Sequence, residues 1–130
     1  MDTTSIELVD SEIEAVLVEG NQIEIKFNRA YIEKTMSGSK EITRWWQAGS
    51  LVFGNAELTS DLPELPVICA GGDVGESVYT YRDMIPLPLK GAGRAHCDLK
   101  IKDSEQKIQV QAETVEMKMI DRPQYIKHIK

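Results

Sequence analysis

The sequence predicts an all-β fold: a single-domain antiparallel β-sandwich or barrel of about 8–10 short strands, with little or no helix. Three observations lead there. Apolar and polar residues alternate with a period of two along most of the chain. Breaks rich in Gly, Asn, Asp, Ser and Pro separate the alternating runs at short intervals. No stretch of about ten or more residues carries a helical stripe with caps.

The elements run in this order. "SIELV" is an extra strand or an ordered lead-in. "SEIEAVLVEGNQ" sets Ile13, Ala15 and Leu17 against Glu12, Glu14 and Val16. Gly20-Asn21 then forms a two-residue turn, because both residues tolerate positive φ. "NQIEIKFNRA" returns with Ile23, Ile25 and Phe27 on one face. "RAYIEK" continues that strand after a kink, and "TMSGSKE" reads as a flexible loop. In "ITRWWQAGSLVFGNAELTS" both faces are apolar, which suits a central strand. Gly54 within it marks a bulge or a close neighbour.

"DLPELP" is a connector, "VICA" a short buried strand, and "GGDVGE" a flexible loop or hairpin tip. "SVYTYRD" alternates again, with Tyr79, Tyr81 and Asp83 on one face. "MIPLPLKGAG" carries two prolines, which cannot donate in a central ladder, so it is an edge strand or an extended crossover. "RAHCDLKIK" and "KIQVQAETVEMKM" form a hairpin about "DSEQ". In the second arm the apolar series Ile108, Val110, Ala112 shifts to Val115, Met117, Met119, which calls for a bulge or bend near Thr114. "DRPQYIKHIK" is an edge strand or a frayed helical turn.

Composition narrows the function classes. The 130 residues, read as one domain (1–130), are 42% hydrophobic and 28% charged. Such a chain buries enough surface to fold without disulfides or metal. Acidic residues outnumber basic ones 21 to 15, the net charge is −6 and the pI is near 4.9. That balance argues against nucleic acid and against an anionic membrane surface, both of which attract clustered cations. "MDTTSIELVDSEIE" is acidic and lacks the apolar core of a secretory signal. No apolar run approaches the roughly 20 residues that cross a bilayer. The expected location is the cytoplasm, with Cys69 and Cys97 as buried, reduced thiols.

No catalytic residue, metal-ligand set or cofactor site is nominated, and no enzyme class is assigned. On a strand, His96 and Cys97 of "AHCDLKIKD" point to opposite faces and cannot act on each other. His96 and Asp98 share a face, yet zinc wants three or four ligands and no third is in view. "AGGDVGE" and "GAGRA" lack the helix that a phosphate-binding glycine loop precedes.

The aromatic residues carry the binding expectation. Trp45 and Trp46 are adjacent, flanked by Arg44 and Gln47; on an extended segment one ring faces in and the other out or into a groove, unless both pack under the "TMSGSKE" loop. Tyr79 and Tyr81 share a face, with Arg82 beside them. Large aromatics next to arginine are the residues that anchor partners. Candidate binding residues are therefore Arg44, Trp45, Trp46, Tyr79, Tyr81 and Arg82. The reading is a small acidic non-catalytic interaction protein, contacting a protein partner (a basic one, by its acidity) or a second copy of itself. Two alternatives stand beside it: a small-ligand or carbohydrate-binding β domain, and a hydrolase or isomerase that uses carboxylates.

Overall fold

The computed structural model describes residues 3–36, 38 and 40–129, and among them the chain is all strand and connection, with no helix. The strands are β1 (Thr3–Glu19), β2 (Gln22–Thr35), β3 (Ile42–Gly54), β4 (Glu57–Leu58), β5 (Val67–Glu76), β6 (Tyr79–Arg82), β7 (Met84–Leu87), β8 (Lys90–Ile101) and β9 (Lys107–His128). All pairings are antiparallel. The order β6-β5-β8-β9-β3-β2-β1-β7 is supplemented by a β5–β1 pairing. The path β1-β2-β3-β9-β8-β5 therefore closes on itself in a barrel-like circuit, which leaves the ends of β6, β7 and β9 as edges.

Several strands are long where short ones were expected: β1 spans 17 residues and β9 spans 22. The reason is that breaks in the alternation are bulges inside continuous strands. In β1 the ladder jumps from Glu7↔Tyr31 to Glu12↔Arg29, with Asp10 at φ 71°. Buried Ser11 repairs the gap: its hydroxyl donates to the Glu7 carbonyl (2.7 Å) and accepts from the Tyr31 N–H (3.1 Å). Nearby, Leu8 N–H donates to the Asp83 carbonyl and Asp83 N–H to that of Gly72. This corner lets β1 exchange β7 for β5 as its neighbour along its length.

A second irregularity, between Glu12 and Ala15, reverses the expected facing of the residues beyond it. Val16 stands opposite Ile25 and packs against the core, while Leu17 is 43% exposed. Ile13, Ala15 and Leu17 thus do not form one apolar face, because the bulge shifts the pleat by one residue.

"GGDVGE" is not a loop. It is the second half of β5, paired with β8 and β6 and largely buried. Its glycines serve contact rather than turning. At φ 132°, Gly72 holds a conformation that disfavours other residues, and a Cβ there would collide with the Asp98 carbonyl. The ring of His96 lies against Gly75 in the same way.

Several other strand and turn readings hold. Gly20-Asn21 joins Glu19 to Gln22 as a tight turn. β3 is central between β2 and β9, and Gly54 faces Thr114 so closely that a side chain would strike the threonine hydroxyl. Opposite the phase slip in β9, β8 places Gly93 and Arg94 against the single residue Glu113, which is the bulge. β7 is an edge strand, and from Lys118 onward β9 pairs with β3 alone. The "TMSGSKE" loop falls partly on residues 37 and 39, outside the described residues.

Inside the circuit, Phe27, Phe53, Leu51, Ile25, Leu99, Val110 and their neighbours form one apolar cluster. Cys69 and Cys97 belong to it as free thiols.

Candidate functional site

On β3 the pleat sends Trp45 and Trp46 to opposite faces, and both rings are half-buried. Trp45 turns toward the core cluster. Its indole N–H donates to the Thr43 hydroxyl at 2.9 Å, and its ring meets Tyr125 edge-on at 5.2 Å. Lys34 Nζ sits 4.5 Å from the ring centre. Trp45 is therefore fixed on three sides.

Trp46 turns outward. A bulge at Asn28-Arg29 of β2 sets Arg29 so that its guanidinium lies 4.6 Å from the Trp46 ring centre. Tyr31 is the direct cross-strand partner of Trp46, and Arg44 lies 4.6 Å from the Tyr31 ring centre. Two cation–π pairs thus stand side by side, each worth about 0.5–1 kcal/mol at a surface.

β9 completes the wall. Asp121, at φ 61°, opens a bulge in which three residues of β9 face Gln47, whose amide N–H donates to the Asp121 carbonyl (2.8 Å). The strand then resumes its pairing, and Tyr125, Ile126 and Lys127 border an open trough of about 540 Å³ together with Asp10, Arg29, Tyr31, Arg44 and Trp46. Three cations and one carboxylate line it, and Arg29 lies 3.9 Å from Glu12 at its border.

Beneath the trough, Arg44 is held by Glu7 of β1 at 3.3 Å. The approach is an ion pair without an aligned hydrogen bond, since Glu7 Oε2 is buried and lacks a hydrogen-bond partner. Burial pushes the Glu7 carboxyl above its ordinary value. Arg44 opposes the rise, and the neighbouring Glu33 adds to it.

The other nominated residues lie elsewhere. Tyr79 and Tyr81 stack with ring centres 6.5 Å apart and planes 10° from parallel. Exposed Arg82 donates from Nε to Asp73 Oδ1 at 3.1 Å, and this charged hydrogen bond raises the arginine's pKa. β6 pairs with β5 alone, and β8 and β9 stand between β5 and β3 in the sheet order. The structure therefore brings Arg44 and Trp46 to one site, turns Trp45 away from it, and leaves Tyr79, Tyr81 and Arg82 apart.

Six trough residues were missed by sequence reasoning: Asp10, Arg29, Tyr31, Tyr125, Ile126 and Lys127. Arg29 and Tyr31 had a signal, since residues two apart in "RAYIEK" share a face once that run is read as strand. Tyr125 and Lys127 had none, because the bulge at Asp121 decides where they fall.

His96 and Cys97 do face opposite ways. His96 Nδ1 lies 3.1 Å from the Arg94 carbonyl, while the buried Cys97 thiol approaches the Ile108 carbonyl at 3.8 Å. Burial raises both thiols, that of Cys69 to about 11, which keeps them protonated and unreactive. Asp98 accepts from Gln109, and among the described residues no group of three or more His, Cys, Asp or Glu is placed to hold a metal ion. Among those residues, too, no helix is long and apolar enough to cross a membrane. No protein-family model, curated protein or solved structure matches this chain.

Proposed function

We propose that this chain is a non-catalytic binding protein whose contact surface is the outward face around Trp46. One observation carries the reading. Side chains from β2, β3 and β9 place Trp, Tyr and Arg, the residue types that dominate binding energy at interfaces, around one open trough. The closed circuit is filled by apolar side chains, which favours a surface contact over a ligand held inside the barrel. Beside the trough, Ile120, Tyr125, Ile126 and Ile129 are each more than a third exposed on the end of the chain that pairs with β3 alone. Exposed apolar residues gathered at one edge mark contact surfaces.

The test is partner capture with Trp46→Ala. The variant keeps its fold, read by circular dichroism and thermal melting, and loses a partner that the parent protein retains. A partner held equally by parent and variant overturns the reading.

A further inference from the structure

We propose that the trough beside Trp46 takes an extended acidic segment of a partner protein, whose carboxylates seat against Arg29, Arg44 and Lys127. This rests on the reading that the Trp46 face is the contact surface, and it adds the chemistry of the segment that binds there.

Charge is the first argument. The chain carries −6 overall, yet three cations line this trough against one lining carboxylate, Asp10; of the three, Arg29 lies 3.9 Å from Glu12 and Arg44 lies 3.3 Å from Glu7. An acidic protein repels an acidic partner over most of its surface. A local basic trough then fixes where and in which orientation such a partner lands. Lys127 has no ion pair among the described residues, so its ammonium group is free to take a partner carboxylate.

Guanidinium geometry is the second. Arg29 and Arg44 each lie over a ring. A stacked guanidinium is held in place while its N–H groups remain in the plane of the fork, ready for a planar carboxylate. Glu7 already makes this kind of contact with Arg44 from the strand side, at 3.3 Å and without good alignment. A well-aligned carboxylate from a partner would compete with it.

Ring occupancy and shape select against other ligands. Nucleobases bind through exposed aromatic faces, and sugar rings stack in the same way. Here a guanidinium covers a face of Trp46 and another covers a face of Tyr31. A small-molecule pocket buries roughly 70–90% of its ligand. This trough is open and runs across β1, β2, β3 and β9, which suits a length of chain.

Fluorescence anisotropy on the full chain tests the proposal. The probes are a labelled peptide of alternating Glu and Ser, its Gln-Ser counterpart and its Lys-Ser counterpart, each at low and high salt. The Glu peptide binds at low salt, and its affinity falls steeply at about 1 M salt, where the screening length is near 3 Å. The other two peptides do not bind. Arg44→Gln combined with Lys127→Gln weakens binding about tenfold or more, and Glu7→Gln strengthens it by freeing Arg44. If the double variant melts early, the charge-conserving pair Arg44→Lys and Lys127→Arg must still bind the Glu peptide with the same salt dependence. Equal binding of the Gln peptide, preference for the Lys peptide, or indifference to salt overturns the proposal. So does a trough occupied by a second copy of the chain, seen as a dimer that Trp46→Ala dissolves. A captured partner lost on Trp46→Ala but kept by the charge variants sinks the acidic segment alone. A partner kept on Trp46→Ala sinks the contact surface itself.

Discussion

Two places on this molecule set aromatic rings beside arginine, the outward face around Trp46 and the stacked pair Tyr79–Tyr81, and they are built on different supports. Trp46 stands on the central strand β3, between β2 and β9, and residues of β1, β2, β3 and β9 border the trough beside it. Tyr79 and Tyr81 stand on the four-residue β6, which pairs with β5 alone. The arginines differ as well. Arg29 and Arg44 are laid over rings, whereas Arg82 turns away to Asp73. The same residue types border a shaped trough in one place and form a surface stack in the other, and carboxylates pair with the arginines in both. Composition nominates such residues. The supporting strands decide whether they act together.

The comparison breaks most severely at Gly72, where β5 passes β8 and carries β6 with it. A Cβ at this position meets the Asp98 backbone, and φ 132° is hostile to any L side chain. Gly72→Ala is expected to cost about 3 kcal/mol or more. In hydrogen exchange the loss of protection falls first on β5 and β6, while β2 and β3 around Trp46 keep theirs. Uniform loss would show that the two regions do not differ in support.

A smaller effect separates the two tryptophans. Trp45 packs on the core and against Tyr125, so Trp45→Ala is expected to lower stability by about 2–3 kcal/mol. Trp46→Ala gives up a surface cation–π pair and is expected to cost about 1 kcal/mol. Urea unfolding of both variants measures the gap. Equal losses would mean that Trp46 is interior and that the trough is only packing.

The smallest effect is electrostatic. The folded state raises the Glu7 carboxyl above its ordinary value of 4.5, so it holds the proton more tightly than the unfolded chain does. Stability from this group is therefore greatest below the ordinary value and declines as pH rises through the folded one. Above that range the ionised Glu7 is a standing cost. Glu7→Gln is expected to raise the melting temperature slightly near pH 7. The gain stays under about 1 kcal/mol, because the side chain is one-third exposed and screened. It fades on acidification below the ordinary carboxyl value. A drop in stability at pH 7 would show that attraction to Arg44 outweighs burial.

How far the sequence reaches can be judged from the same residues. Alternation located the strands, Gly20-Asn21 the turn, and the slip at Thr114 a bulge that β8 supplies. Alternation could not convey where a break lies inside a strand. Asp10, Gly71-Gly72 and Asp121 all read as interruptions, yet each sits within a continuous strand and redirects it. The glycines of β5 misled because approach of a neighbouring backbone and turning both call for glycine. Two of the eight trough residues, Arg44 and Trp46, were visible in the sequence. The rest depended on bulges in β1, β2 and β9, whose positions are set by tertiary pairing.

The central claim is that the Trp46 face, and not the Tyr79 stack, is where this protein meets its partner. One titration decides it: partner affinity of the parent chain against Trp46→Ala and Tyr79→Ala, each first confirmed as folded. Affinity lost by about tenfold or more in the Trp46 variant and unchanged in the Tyr79 variant is the predicted result. Loss in the Tyr79 variant with full affinity in the Trp46 variant would contradict it.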